Sequence, residues 1–291
     1  MTQPLPLVAS LEGPAGAPVL VLGNSLGTTR EVWEPQAAVL GERFRLLRFE
    51  HRGHGGSPAP AGPYTIGELG ADVLRLLDGF GVQTASYCGI SLGGMIGMWL
   101  AAHAPERIDA LGLCCTSAYL PPAGFWTGRA AQARAGGMAS LAWQVVGRWF
   151  TPAFRARDPA TVAGFVTTLE GVDPQGYAGC CEAIAALDLR SSLGQISAPA
   201  LVIAGAEDPA TPPWHGAQIA SAVGRSRLRV IRGGSHLANV SQSGEVTAAL
   251  LAHLTSPRGG LGPDGPRPKG PRRHLPAARR PEPPAPRAAP G

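Results

Sequence analysis

Charge is scarce in this chain of 291 residues: Asp, Glu, Lys and Arg make up 15 % of it, against 44 % hydrophobic residues. That balance excludes a chain disordered over most of its length and leaves enough apolar surface for a full core. Cysteine is scarcer still, with Cys88, Cys114, Cys115, Cys180 and Cys181 forming an odd set of five. Two vicinal pairs and a singleton do not resemble a disulfide framework, and neither pair has the C-x-x-C spacing of a metal site. Free thiols buried in a reducing cytoplasm are the plain reading. No run is apolar and long enough to cross a bilayer, and Met1-Thr2-Gln3-Pro4 starts neither a basic n-region nor an apolar h-region, so neither secretion nor a membrane partner is expected.

A basic face is missing too. The formal charge of +5 sits in residues 257–291, which hold eight basic and two acidic side chains; the rest has 17 basic and 18 acidic ones and a net charge of −1. The body is nearly neutral, and nothing in it indicates a nucleic-acid partner. With eleven Pro and six Gly in 35 residues, the tail is expected to be a disordered linker or spacer. There is no internal repeat, and the composition is compatible with a homo-oligomer.

Glycine, by contrast, is abundant, at 40 residues, and one cluster of it is informative. Cys88-Gly89-Ile90-Ser91-Leu92-Gly93-Gly94 fits G-x-S-x-G, a nucleophilic serine on a sharp strand-to-helix turn. The short β-prone stretch Thr84-Ala85-Ser86-Tyr87-Cys88 precedes it, and a helix-forming apolar run over residues 95–103 follows. Gly89 and Gly93 flank the turn because a side chain there would strike the neighbouring strand or helix. The motif recurs by chance in Gly-rich chains, so its weight comes from the strand before it and the helix after it.

A serine nucleophile needs a base, and the base an orienting acid, which in α/β-hydrolases follow in the order acid, then His. Ala200-Leu201-Val202-Ile203-Ala204 reads as a buried strand and runs into Gly205-Ala206-Glu207-Asp208-Pro209. Asp208 is the candidate acid, with Glu207 as its competitor. Leu228-Arg229-Val230-Ile231 leads into Arg232-Gly233-Gly234-Ser235-His236, and a last helix opens at His236 and runs to about Leu254. Seven histidines are present. His51 and His54 lie in a Gly-rich turn after the strand over residues 45–49, His103 ends the helix after Ser91, His215 and His253 sit on helices, and His274 lies in the tail. Only His236 follows a late strand on a glycine loop, which makes it the candidate base. The oxyanion hole needs two backbone N–H donors. Leu92, after the nucleophile, is one; Leu26, in the loop Gly23-Asn24-Ser25-Leu26-Gly27 after the strand over residues 19–22, is the other.

Strands alternate with helices up to Leu113, and two more strands and a final helix close the chain. The fold class is α/β: a mostly parallel sheet with helices on both faces, in a domain over residues 1–256. Residues 117–190 interrupt the alternation. Segments 124–136, 139–150, 159–170 and 176–187 read as helices broken by Gly and Pro, an inserted cap over the site where specificity should reside. Within it Trp126, Arg129 and Arg134 are spaced by three and five, and Trp143 and Trp149 follow. These residues either pack the cap and face solvent, or set an arginine beside an indole wall to hold a substrate carboxylate.

With these residues assembled, the chain resembles the 3-oxoadipate enol-lactonases over about residues 5–255. The resemblance rests on Asn24-Ser25-Leu26-Gly27-Thr28 with Trp33 and Pro35-Gln36, on Arg52-Gly53-His54-Gly55 with Ser57, and on the elbow at residues 89–94. It extends to Arg134-Ala135-Gly136-Gly137, Arg148-Trp149-Phe150-Thr151-Pro152 and Tyr177-Ala178-Gly179-Cys180-Cys181 in the cap, and to the Asp208 and His236 loops. Glu50-His51 departs from the pattern, where an Asp followed by a small or polar residue is expected, and leaves the shape of that turn open. The resemblance implies an anionic five-membered enol-lactone with an acetate arm as substrate, 3-oxoadipate as product, and neither metal nor organic cofactor. Its carboxylate would need a cation, Arg134 first and Arg129 second, with Trp126 as an apolar wall and Asn24 and Ser25 as further contacts. The rival readings are a general carboxylesterase, a carbon–carbon bond hydrolase of the same fold, and a non-catalytic binding protein.

Overall fold

The computed structural model describes residues 5–256; the expected tail over residues 257–291 lies outside them. The elements run β1 (Ala9–Glu12), β2 (Val19–Gly23), α1 (Glu34–Leu40), β3 (Arg45–Phe49), α2 (Ile66–Gly79), β4 (Ala85–Ile90), α3 (Leu92–His103) and β5 (Ile108–Cys114). Five α-helices follow with no strand among them: α4 (Ala123–Gly136), α5 (Ala142–Val146), α6 (Pro152–Arg157), α7 (Pro159–Glu170) and α8 (Pro174–Ala185). The chain then returns to the sheet with β6 (Ala200–Gly205), α9 (Pro213–Ala222), β7 (Ser226–Ile231), α10 (Ala238–Ser241) and α11 (Ser243–Leu254).

The seven strands are ordered β1-β3-β2-β4-β5-β6-β7, and every neighbouring pair after the first is parallel. β4 and β6 are buried along their whole length, which is why they read as continuous apolar runs rather than alternating ones. β7 closes one edge with partly exposed residues. At the other edge β1 pairs antiparallel with β3 in the register Ala9↔Phe49. This edge strand is not among the strands expected from sequence: four residues with little burial carry no periodic signal.

Local chemistry sets where the helices start. A reciprocal capping box, Thr65 with Glu68, opens α2. Three cap helices share another device, in which an oxygen-bearing side chain at the N-cap is followed by proline at the first helical position: Thr151-Pro152, Asp158-Pro159 and Asp173-Pro174. The last helix departs from expectation, since it breaks at Gln242 into α10 and α11 and His236 sits in the turn before both. Four segments hold the ends of the parallel strands where the site forms: the loop after β2, the turn after β4, and the loops after β6 and β7.

Candidate active site

Ser91 occupies the turn between β4 and α3 with φ 54°, a left-handed conformation that a non-glycine residue adopts only under constraint. Its N–H is held by the Cys114 carbonyl at 2.9 Å, and its carbonyl accepts the Thr116 hydroxyl at 2.7 Å. A Cβ on Gly89 would come within 2.2 Å of the Gly93 backbone, and one on Gly93 within 2.2 Å of the Gly23 carbonyl oxygen. Close packing of strand, helix and neighbouring loop therefore fixes both glycines.

The loops after β6 and β7 bring the other two candidates to this serine. His236 Nε2 lies 2.9 Å from Ser91 Oγ, and His236 Nδ1 lies 2.8 Å from Asp208 Oδ2. Asp208 accepts the N–H groups of Ala210 and Thr211 on Oδ1 at 2.8 and 3.0 Å, and the Thr211 hydroxyl on Oδ2 at 2.7 Å. Burial raises the pKa of Asp208, but His236 and the Thr211 hydrogen bonds outweigh it and hold the carboxyl below its ordinary value of 3.8. An ionised Asp208 must accept, so His236 Nδ1 donates to it and Nε2 is left to take the serine proton. Glu207, the competitor, is exposed.

The loop after β2 is clamped against the elbow. The Gly93 N–H and His51 Nε2 both donate to the Asn24 carbonyl at 2.9 Å. His54 Nδ1 donates to the Arg52 carbonyl, which leaves Nε2 to accept the Gly27 N–H at 2.9 Å. The N–H groups of Leu26 and Leu92, the expected oxyanion donors, enter none of the turn, loop or side-chain hydrogen bonds. The Glu50-His51 departure also finds its place here: Glu50 is buried, and its carboxylate accepts the Arg30 N–H at 3.1 Å on Oε1. His51 packs edge-on between Phe49 and His54. Burial lowers both imidazoles, to about 4 for His51 and about 3 for His54, so both are neutral hydrogen-bonding struts at pH 7.

Ser91 and His236 open into a cavity of about 340 Å³ under the helices inserted between β5 and β6, bordered by Ser25, Leu26, Trp126, Arg129, Trp149 and Tyr177. Ser25, Trp126 and Arg129 were expected as substrate contacts, and the structure brings them together. Two other expectations fail. Asn24 is fully buried behind the loop, with its side-chain amide donating to the Phe49 carbonyl at 2.7 Å, and it does not border the cavity. Arg134, the first choice for the carboxylate, lies on the outside, where its guanidinium forks onto Glu182 and donates to Gln175 at 3.1 Å. Five residues along a helix turn the direction by roughly 140°, whereas the three from Trp126 to Arg129 keep one face. Arg129 Cζ stands 5.4 Å from the ring centroids of both Phe125 and Trp126, and among the described residues it has no carboxylate partner.

Trp143, grouped with Trp149 in the sequence, is exposed at the surface, while Trp149 is buried at the cavity wall. Sequence reasoning gave no site role to Tyr177, Arg148 or His215, all of which border the cavity. His215 carries a usable signal, seven residues beyond Asp208 at the start of the helix that follows the acid's loop. No group of metal-ligating side chains occurs among the described residues. All five cysteines are free and buried. No helix among the described residues is long and apolar enough to cross a membrane.

The family model described as the α/β-hydrolase fold matches residues 18–142. The chain is 41 % identical to 3-oxoadipate enol-lactonase 2 of Acinetobacter baylyi, over 79 % of this chain and 86 % of that one. It is 34 % identical to 3-oxoadipate enol-lactonase 1 of the same organism, over 81 % and 88 %. Among solved structures it is similar to the enol-lactonase of Burkholderia xenovorans LB400, with a TM-score of 0.84, 41 % identity, and coverage of 86 % of this chain and 96 % of that one.

Proposed function

The chain belongs to the 3-oxoadipate enol-lactonase family of the α/β-hydrolase fold, and on that premise we propose that it opens 3-oxoadipate enol-lactone to 3-oxoadipate, a step of the β-ketoadipate route of aromatic catabolism, with Ser91 as nucleophile. One observation carries the reading: the hydrogen-bonded chain Ser91–His236–Asp208 reaches the wall of a cavity that also holds Arg129, a cation with no carboxylate partner among the described residues.

The chemistry follows from the atoms in place. His236 Nε2 takes the proton as Ser91 Oγ attacks the lactone carbonyl, and Asp208 holds the imidazole in the tautomer this needs. The N–H groups of Leu26 and Leu92 receive the developing oxyanion, and no reorganisation is required because both loops are already fixed. The carbonyl–ring-oxygen bond breaks, the ring oxygen leaves as an enol with the proton from His236, and an acyl-enzyme remains. Water, deprotonated by His236, releases the acid. Arg129 binds the acetate arm against Trp126, with Ser25 at the cavity wall as a further polar contact. An arginine suits this because its planar fork can take both carboxylate oxygens. The test is to supply the enol-lactone to the purified chain and identify the product by NMR. The reading expects stoichiometric 3-oxoadipate; turnover of neutral esters with the lactone left intact would refute it.

A further inference from the structure

His215 is the second imidazole bordering the cavity of Ser91 and His236, and no step above uses it. It stands in the first turn of α9 and is 3 % exposed. Its Nδ1 lies 2.7 Å from Ser117 Oγ. The Ser117 hydroxyl donates to the Tyr119 carbonyl at 2.7 Å, and its oxygen accepts the Tyr119 N–H at 3.1 Å. A hydroxyl has one proton, and with that proton given to Tyr119 the serine oxygen can only accept from the ring. Nδ1 therefore carries the ring proton and Nε2 the lone pair. The two ring nitrogens of His253 are sealed in the core; Nε2 of His215 is not sealed, and this residue borders the cavity. Burial, only partly opposed by the Asp208 carboxylate, keeps this imidazole below its ordinary pKa and so neutral at pH 7.

A lone pair at the cavity wall calls for a donor, and the lactone has none: its carbonyl, ring oxygen and carboxylate all accept. Ring opening creates one, the enol hydroxyl, while the hydrolytic water is served by His236. Resting on the lactonase reading, we propose that His215 is a further catalytic residue that makes the enzyme a keto–enol tautomerase as well as a hydrolase, converting the nascent enol to the ketone before release. The enol O–H bond breaks and its proton passes to Nε2, giving an enolate and an imidazolium. The enolate oxygen then forms the carbonyl, the C=C electron pair takes a proton from Nε2 at the former vinyl carbon, and the neutral ring returns. Ser117 accepts the Nδ1–H in both states, so the ring keeps its orientation throughout the transfer.

Hydrolysis in D2O tests this. Ketonisation on the enzyme delivers deuterium to one face of the former vinyl carbon, whereas ketonisation in solution delivers it to both. The wild type should give one configuration at the deuterated former vinyl carbon in about tenfold excess or more, a barrier difference near 1.4 kcal/mol. His215→Asn, which keeps a donor toward Ser117 but lacks the Nε2 base, should give the two in equal amounts. If that variant does not fold, His215→Gln takes its place. Equal amounts from the wild type, or the same excess from a folded variant, would overturn the tautomerase and leave the lactonase reading standing. Failure to consume the lactone at all would instead remove the reading on which it rests.

Discussion

Arg129 and Arg134 differ by less than a turn and a half of one helix, yet they have opposite surroundings. Arg134 is already neutralised by Glu182 in an exposed ion pair, of a kind that contributes little to stability. Arg129 has aromatic rings for neighbours and borders the cavity. Arg129→Ala is therefore expected to raise KM for the anionic lactone by on the order of 10²-fold, with kcat/KM for a neutral ester nearly unchanged. Arg134→Ala should change neither by more than roughly twofold. Steady-state kinetics on both substrates checks this, and equal losses on the two substrates for Arg129→Ala would assign it a packing role. At this scale sequence legibility divided by locality. Ser91, Asp208 and His236 were readable because each sits in a short motif whose neighbours dictate the turn. Arg129 and Arg134 could be ordered only by knowing which face of α4 meets the cavity. Asn24 was misassigned because a loop that offers its backbone to the site need not turn its side chains there. His215 and Ser117 meet across 98 residues and leave no joint pattern.

The element that distinguishes this site is the turn after β3, which braces the loop carrying Leu26. Its Glu50 is the unusual part: burial pushes the carboxyl up to about 7 from an ordinary 4.5, against the pull of the Arg30 N–H. The sign of the consequence is fixed by linkage. Below pH 4.5 the group is protonated in both folded and unfolded chains and costs nothing. Between 4.5 and about 7 the unfolded chain loses its proton first, so stability falls as pH rises and levels off above that. The drop attributable to this residue is ~3 kcal/mol. Glu50→Gln, which keeps an acceptor for the Arg30 N–H, should flatten the slope by that amount in urea unfolding measured from pH 5 to 8. An unchanged slope would show that Glu50 stays ionised across the range. The brace was only half legible. The sequence marked Glu50-His51 as a departure, but the partners of His51 and His54, Asn24 and Gly27, lie 27 residues upstream of each.

For the molecule as a whole, the sheet and the inserted helices were legible because parallel strands buried on both faces leave long apolar runs, and because the cap segments break at Pro and Gly. The antiparallel β1 was not, being short and half-exposed. The cap is tied to the loops it covers by backbone bonds: Leu237 N–H to the Trp149 carbonyl at 3.0 Å, and Asp173 N–H to the Gly53 carbonyl at 2.9 Å. The cavity wall and the loop that carries His236 thus share one scaffold, with Trp149 in the wall and His236 beside Leu237.

The proposed reaction depends on Ser91, served by His236, for hydrolysis of the lactone in this cavity. The most direct measurement is kcat for enol-lactone opening by the wild type, Ser91→Ala, His236→Ala and the double variant, with circular dichroism confirming that each is folded. A loss on the order of 10⁴-fold or more is expected for either single variant and little further loss for the double, because the two side chains act as one unit. A folded Ser91→Ala enzyme that keeps a tenth of the wild-type rate, or a double variant that loses the product of the two single losses, would contradict it.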